Sequence, residues 1–291
     1  MLNDNPTLLL CCDLDRTLLP NGSHHENTGI RLAFQNALSE CNCTLVYVTG
    51  RNLSLAETAI HEYALPEPDY IVADVGSSIY HRRENKQGWI LQHQWQSILA
   101  ESWPTQDIDR IRALIKHSYA FSEQEHQHQS SFKLSYYYAV NEIKAEVIER
   151  LKKDLNDVSI KIIVSQNTEK KQGYIDFLPA NASKYEAIKF LQNELSVTNQ
   201  HTVFAGDSGN DLEVMLSDIP AIIVKNSDRE IQDIVQRSSK KNNYYIAQGD
   251  WLGLNGFYSA GVLEGLVYFH QHMEKEIAAA IKKYCPAVDT A

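Results

Sequence analysis

A chain of 291 residues, 43% of them hydrophobic, can bury one large core or two smaller ones, and none of its apolar runs approaches the length of a membrane span. With 37 acidic and 27 basic side chains the net charge is −10, which argues against nucleic acid as the main partner, although a metal and a few basic groups could still make a local anion site. The start, Met1-Leu2-Asn3-Asp4-Asn5, lacks the basic region of a secretory signal, and five Cys without metal-like spacing fit a reducing cytoplasm, with Cys41-x-Cys43 read as core packing.

The first element is Leu8-Leu9-Leu10-Cys11-Cys12, five apolar residues that read as a strand buried on both faces and run into Asp13-Leu14-Asp15. Pro20-Asn21-Gly22 is a turn signal, and Ile30, Phe34, Ala37 and Leu38 mark one face of a helix. Thr44-Leu45-Val46-Tyr47-Val48 predicts a second buried strand, ending at Thr49-Gly50-Arg51. Ser54 with Glu57 has the spacing of a capping box for the next helix. Tyr70-Ile71-Val72-Ala73 is a third strand. Strands separated by helices predict βαβ units in a parallel sheet.

After Tyr80 the chain becomes more polar. Strands are expected at 133–138 and 159–164, and helices at 108–117 and 142–155. This mixture predicts an α+β module over 82–173, inserted into a first domain formed by 1–81 and 174–291. The run Glu123-Gln124-Glu125-His126-Gln127-His128-Gln129 reads as a solvated loop rather than a metal site. From Tyr174-Ile175-Asp176-Phe177-Leu178-Pro179 the βα alternation resumes. Ser183 and Glu186 form a second capping-box pattern, which puts Lys184 at the first position of a helix. Thr202-Val203-Phe204-Ala205 leads into Gly206-Asp207-Ser208-Gly209-Asn210-Asp211. Later strands are expected at Ile222-Ile223-Val224 and Tyr244-Tyr245-Ile246, and a final helix over 256–272.

Asp-x-Asp, Thr-Gly-Arg, the helix-start Lys and Gly-Asp-x-x-x-Asp all follow a strand or open a helix. In a parallel sheet those positions share one edge. Asp13, Asp15, Asp207 and Asp211 would repel one another strongly without a cation among them. Carboxylate oxygens with no His or Cys nearby favour Mg²⁺, which commonly also takes a phosphate oxygen. Lys184 and the Thr49 hydroxyl supply positive charge and hydrogen bonds to a phosphoryl group. One carboxylate can act as nucleophile through an aspartyl-phosphate, and the other can protonate the leaving alcohol and then activate water.

These residues resemble the haloacid dehalogenase superfamily of phosphatases, in the branch whose cap lies between the second and third motifs. Asp13-Leu14-Asp15-Arg16-Thr17 matches the first motif, Thr49 the second, Lys184 the third, and Asp207 with Asp211 the fourth. The resemblance implies a Rossmann-like α/β parallel-sheet core with an inserted α+β cap. It makes Asp13 the nucleophile and Asp15 the acid/base. Magnesium would be held by Asp13, the Asp15 backbone carbonyl and Asp207, with Asp211 close by. Val48-Thr49-Gly50-Arg51, Asp74-Val75-Gly76-Ser77, Lys133-x-Ser135-Tyr136, Gly206–Asp211 and Ala260-Gly261-Val262-Leu263-Glu264-Gly265 are similar to the sucrose-phosphate phosphatases. That implies a phosphorylated sugar as substrate, bound by Thr49, Gly50, Arg51, Lys184, Asn210 and, from the cap, Lys133. Arg16 stands where many members carry Gly or a small polar residue; an exposed loop side chain and a phosphate or sugar contact are both open. A phosphohexomutase and a non-catalytic sensor or partner subunit of a sugar-phosphate synthase are the rival readings.

Overall fold

The computed structural model describes residues 8–83, 88–139, 145–167, 171–239 and 243–286. Among the described residues the twelve strands are β1 (Leu8–Cys12), β2 (Cys43–Val48), β3 (Tyr70–Ala73), β4 (Ser78–Arg82), β5 (Trp89–Leu91), β6 (Ser122–Glu123), β7 (Leu134–Ala139), β8 (Ile160–Asn167), β9 (Gln172–Pro179), β10 (Thr202–Gly206), β11 (Ala221–Ile223) and β12 (Tyr244–Ile246). The helices, among the described residues, are α1 (Ile30–Glu40), α2 (Leu53–Glu62), α3 (His93–Ala100), α4 (Thr105–Ser118), α5 (Ala145–Asp154), α6 (Lys184–Glu194), α7 (Leu212–Met215), α8 (Arg229–Arg237), α9 (Ser259–Phe269) and α10 (Glu274–Tyr284).

A large sheet takes the order β12-β11-β10-β1-β2-β3-β4-β5, parallel from β12 to β3 and antiparallel at β4 and β5. β1 lies at its centre, as its sequence demands. Leu8, Leu10 and Cys12 enter the core on one face, with Phe34, Leu263 and Ile277, while Leu9 and Cys11 enter the other, with Ile188, Leu191 and Val214. Each fully buried leucine of this kind contributes about 2 kcal/mol through the area it removes from water. The chain runs outward from β1 through β2 and β3, then returns to β1's other side at β10. Sheets of this kind open a crevice beyond the carboxyl ends of the strands where the order reverses, here between β1 and β10.

A small antiparallel sheet, β6-β7-β9-β8, is inserted between β5 and β10 and is covered by its own core of Ile111, Ile115, Leu151, Ile175 and Phe177. Its limits differ from the expected 82–173. Gln172–Pro179 pairs with both β7 and β8, so Tyr174-Ile175-Asp176-Phe177-Leu178-Pro179 belongs to the small sheet rather than to the resumed βα alternation. The reason is its alternation: Ile175 and Phe177 enter the small core while Asp176 and Tyr174 line a cavity, the pattern of a half-buried strand. At the other limit, β4 and β5 extend the large sheet to Leu91, and Trp95 and Leu99 of α3 are buried on that sheet.

Two local expectations are corrected. The cap of α2 is Asn52, whose side chain accepts from Leu55 N–H at 2.9 Å, while Glu57 accepts from Trp89 Nε1. The final helix is α10, because the chain leaves α geometry at His270 and turns through a 3₁₀ segment at Gln271–Met273. Positions 142–144 of the expected helix lie outside the described residues, as do Met1–Asn5.

Candidate active site

The loop after β1 is shaped by its backbone. Asp13 N–H donates to Ala205 O at 2.9 Å, which ties the first aspartate to the end of β10. The Leu14 carbonyl accepts from the N–H groups of Thr17, Leu18 and Leu19, folding the motif into a tight turn. Beyond β10, Ser208 and Asp211 form a capping box: Asp207 N–H and Ser208 N–H donate to Asp211 Oδ2 at 3.1 and 3.0 Å. That box was legible as Ser-x-x-Asp but escaped the sequence reading. Lys184 is at the start of α6, where Ser183 caps by accepting from Glu186 N–H at 3.1 Å. Gly76, at φ +99°, lets the loop after β3 approach this helix start; a Cβ there would sit 2.1 Å from Ser183 O.

These elements converge on one charged centre. Lys184 Nζ, fully buried, lies 2.9 Å from Asp13 Oδ1 and 2.7 Å from Asp211 Oδ1. Asp13, Asp207 and Asp211 are all buried, and each offers an oxygen within 4.8 Å of the others, the one such trio among the described residues. Thr17 Oγ1 donates to Asp207 Oδ1 at 3.4 Å, whereas the buried Asp207 Oδ2 accepts no hydrogen bond. Burial pushes the Asp13 carboxyl up to about 7, with Asp211 and Asp15 adding to the rise and Lys184 opposing it. Burial, then the charges of Asp13 and Asp211, push Asp207 far upward. Burial alone would lower Lys184, but Asp13 and Asp211 outweigh it and raise it. Buried carboxylates carrying one lysine between them, and a buried carboxylate oxygen that accepts no hydrogen bond, fit a hard divalent cation such as Mg²⁺.

Asp15 is placed differently. It sits at the rim, 41% exposed, and Arg51 grips it with two of its three guanidinium nitrogens, Nε to Oδ2 at 2.8 Å and Nη2 to Oδ1 at 2.7 Å. Asn21 Nδ2 adds a third bond at 2.7 Å. Partial burial works against the charge, but the Arg51 hydrogen bonds and charge win and hold Asp15 below the usual carboxylate range. Arg51 is therefore committed to a carboxylate in this arrangement. Thr49 is fully buried, its Oγ1 accepting from Arg51 N–H at 3.1 Å.

A cavity of about 480 Å³ opens over this centre, between the two sheets. Asp13, Asp15, Gly50, Arg51, Asp207 and Asn210 line its floor. Its roof comes from the small sheet and includes Gln124, Lys133, Tyr137, Gln166 and Tyr174. Lys133 crosses from β7's approach to the floor, 3.2 Å from both Asp74 Oδ1 and Gly50 O. Ser135 Oγ donates to Asp176 Oδ1, and burial raises both Asp176 and Asp74 against the pull of Lys133. Gly209 sits beneath β8, where a Cβ would come within 2.9 Å of Val164 O. His128, read from sequence as part of a solvated loop, lines the roof as well.

Of the two readings left open for Arg16, the exposed loop side chain is set aside, and Arg16 lines the cavity. Its side chain is 11% exposed and ion-paired to Asp228 at 2.9 Å, with Nε 3.4 Å from Asp207 Oδ2. A second cavity, about 530 Å³, lies at the opposite ends of the strands among His201, His270 and Met273, and includes none of the expected site residues.

The chain matches the family model described as sucrose-6F-phosphate phosphohydrolase over residues 6–270. It is 40% identical over 268 residues to a putative HAD-like hydrolase of Nitrosococcus oceani, covering 90% of this chain and 71% of that one. It is 28% identical over 284 residues to a probable sucrose-phosphatase 3a of Arabidopsis thaliana, covering 92% of this chain and 61% of that one. Among solved structures, the sucrose-phosphatase of Synechocystis sp. PCC6803, determined in complex with sucrose and phosphate, superposes with a TM-score of 0.74 at 26% identity, covering 90% of this chain and 98% of that one. A match spanning nearly the whole folded chain, on a haloacid-dehalogenase-like α/β fold, makes this protein a member of the sucrose-6F-phosphate phosphohydrolase family and a sugar-phosphate phosphatase.

Proposed function

We propose that the protein is a magnesium-dependent phosphomonoesterase that hydrolyses a disaccharide phosphate, with sucrose 6-phosphate the first candidate, through an aspartyl-phosphate on Asp13. The observation that carries this reading is the buried trio Asp13, Asp207 and Asp211 sharing Lys184, with one carboxylate oxygen free of hydrogen bonds. The likeness to the Synechocystis sucrose-phosphatase supports the substrate class.

In this reading Asp13, Asp207, Asp211 and the Asp15 carbonyl hold Mg²⁺, which when bound neutralises phosphate charge and lowers the Asp13 carboxyl toward its ionised form. Lys184 keeps Asp13 oriented and offsets its charge. Asp13 then attacks phosphorus, and the sugar alkoxide leaves with a proton from Asp15. As found, Asp15 is held ionised by Arg51, the form suited to activating water in the second half-reaction. To serve first as acid it must take up a proton, which requires the Arg51 pair to loosen. An incoming phosphate oxyanion gives Arg51 an alternative partner and supplies that release. Gly50 and Asn210 line the cavity where the phosphate would bind, Thr49 lies buried beside Gly50, and Lys133 reaches in from the roof.

The unit carrying the small sheet acts as the cap. Its polar roof selects the sugar, and its contacts to the floor keep bulk water from the acyl-phosphate. Association with the synthase that makes the substrate belongs to the same proposal, as does a cytoplasmic location, which suits five cysteines that are all unpaired. No helix among the described residues is long and apolar enough to cross a membrane. The test is phosphate release from a panel of disaccharide and hexose phosphates with Mg²⁺, beside Asp13→Asn. Fast, metal-dependent release from a disaccharide phosphate, abolished by the substitution, is expected. Isomerised sugar phosphate without free phosphate would instead identify a phosphohexomutase, and no turnover at all would identify a sensor.

A further inference from the structure

Arg16 lies inside the first motif, yet the proposed hydrolysis gives it no part. Its backbone takes a left-handed conformation, φ +59°, that a non-glycine residue adopts only when its surroundings hold it there. They do: Asn21 Oδ1 accepts from its N–H at 2.9 Å, and Asn226 Nδ2 donates to its carbonyl at 2.6 Å. Asn226 is itself fixed by the N–H of Tyr258, just ahead of α9. The side chain is held as firmly. Nη2 donates to Asn226 O at 3.0 Å and to Asp228 Oδ1 at 2.9 Å, which leaves Nε 3.4 Å from Asp207 Oδ2. That oxygen is the buried one without a hydrogen bond.

A guanidinium is therefore built against the open face of a carboxylate assigned to the metal. A divalent cation on Asp207 would sit within a few ångströms of this fixed positive charge, where the two repel. We propose that Arg16 is a positioning residue that acts as a resident counter-cation. It steadies the carboxylate cluster while the metal is away and holds magnesium affinity below the value the carboxylates alone would give. Asp228, 16% exposed, is the other arm of the device, because it draws part of the guanidinium charge away from Asp207. This inference rests on the reading of Asp13, Asp207 and Asp211 as the magnesium site.

The charge argument fixes opposite signs for two neighbouring substitutions. Arg16→Gln removes the competing cation and tightens magnesium binding. Asp228→Asn leaves the cation undiluted beside Asp207 and weakens it. Loss of loop structure would weaken binding in both. Arg16→Lys keeps the charge and stays near the wild type.

The experiment is calorimetric titration of the full chain with MgCl₂, with melting temperatures in EDTA and in magnesium, for the wild type, these three variants and Asp207→Asn. Arg16→Gln is expected to lower the magnesium Kd about three- to tenfold, to melt earlier in EDTA, and to gain more from magnesium than the wild type does. Asp228→Asn is expected to raise Kd about two- to threefold. An unchanged or weaker affinity in Arg16→Gln, or a shift of both variants in one direction, overturns the inference while leaving the metal site intact. If Arg16→Gln does not fold, Asp228→Asn decides alone: a Kd at or below that of the wild type overturns it. Wild-type binding that Asp207→Asn does not impair overturns the metal-site reading and this inference with it.

Discussion

The floor and the roof of the cavity present different kinds of group. The floor is ionic and locked: Lys184 between Asp13 and Asp211, Arg51 on Asp15, and Arg16 between Asp228 and Asp207. Each of these charges has a partner within the large-sheet unit, so their arrangement does not depend on which sugar enters. The roof is mostly neutral: amides from Gln124 and Gln166, and the edge-to-face pair Tyr137 and Tyr174 at 5.8 Å. Neutral donors and acceptors with aromatic faces suit a ring of hydroxyls, whereas buried ion pairs suit a phosphate and a metal. Under the proposed function, the difference assigns reaction and specificity to separate walls, joined where Lys133 meets Asp74.

The largest effect should come from the floor. Asp13→Asn should reduce phosphate release at least about a thousandfold on every substrate, because it removes the proposed nucleophile. Retained turnover in steady-state assays would break the division at its root.

Lys184→Met tests whether the floor is held together by its charges. Removing the lysine leaves two buried carboxylates without a cation, at a cost of about 3–5 kcal/mol. A drop in melting temperature on the order of 10 °C in EDTA is expected, partly recovered by magnesium. A drop no larger than that of a typical surface substitution would show that the cluster is not under charge strain.

The pH dependence of the metal-free protein sharpens the same point. Asp13 is raised from the ordinary aspartate value to about 7, so between those values the folded state holds a proton that the unfolded chain has lost. Stability from this group is therefore full below about pH 4 and disappears as pH rises through 7. Thermal melts in EDTA should show that decline on top of the other titrations, and Asp13→Asn should flatten it.

The smallest effects belong to the roof. Lys133→Met should raise KM for the sugar phosphate about tenfold, because it removes the tie to Asp74 and Gly50, while hydrolysis of a small aryl phosphate changes less. Tyr174→Phe should raise KM about three- to fivefold through one lost hydroxyl, with kcat little altered. Equal losses on both substrates in either variant would show that the roof takes part in the chemistry and would dissolve the comparison.

Much of the site was legible along the chain, and for a local reason. A run such as Leu8–Cys12 can only be a strand covered on both faces, and parallel strands joined by helices all end at one edge. Asp13, Thr49 and Asp207 each follow such a strand, so their placement at one edge of the sheet was legible from strand ends alone, and Ser183 fixed Lys184 at a helix start. The strand Gln172–Pro179 was legible as a strand but was assigned to the wrong sheet, although its alternation, with Ile175 and Phe177 in the small core and Tyr174 and Asp176 on the cavity, is that of a half-buried antiparallel strand.

The sequence by itself determined which residues would gather: two carboxylates after β1, a lysine opening α6, two more carboxylates after β10. Only the tertiary structure decided what each charge would face. Arg16 stood open between an exposed loop side chain and a phosphate or sugar contact until the chain brought Asp228 to it from 212 positions away, and Lys133 found Gly50 across 83. Periodicity and capping are written in neighbours three or four residues apart. Ion pairs between distant segments are chosen by packing, so their partners become visible only when both faces of the sheet are covered and the two sheets have met.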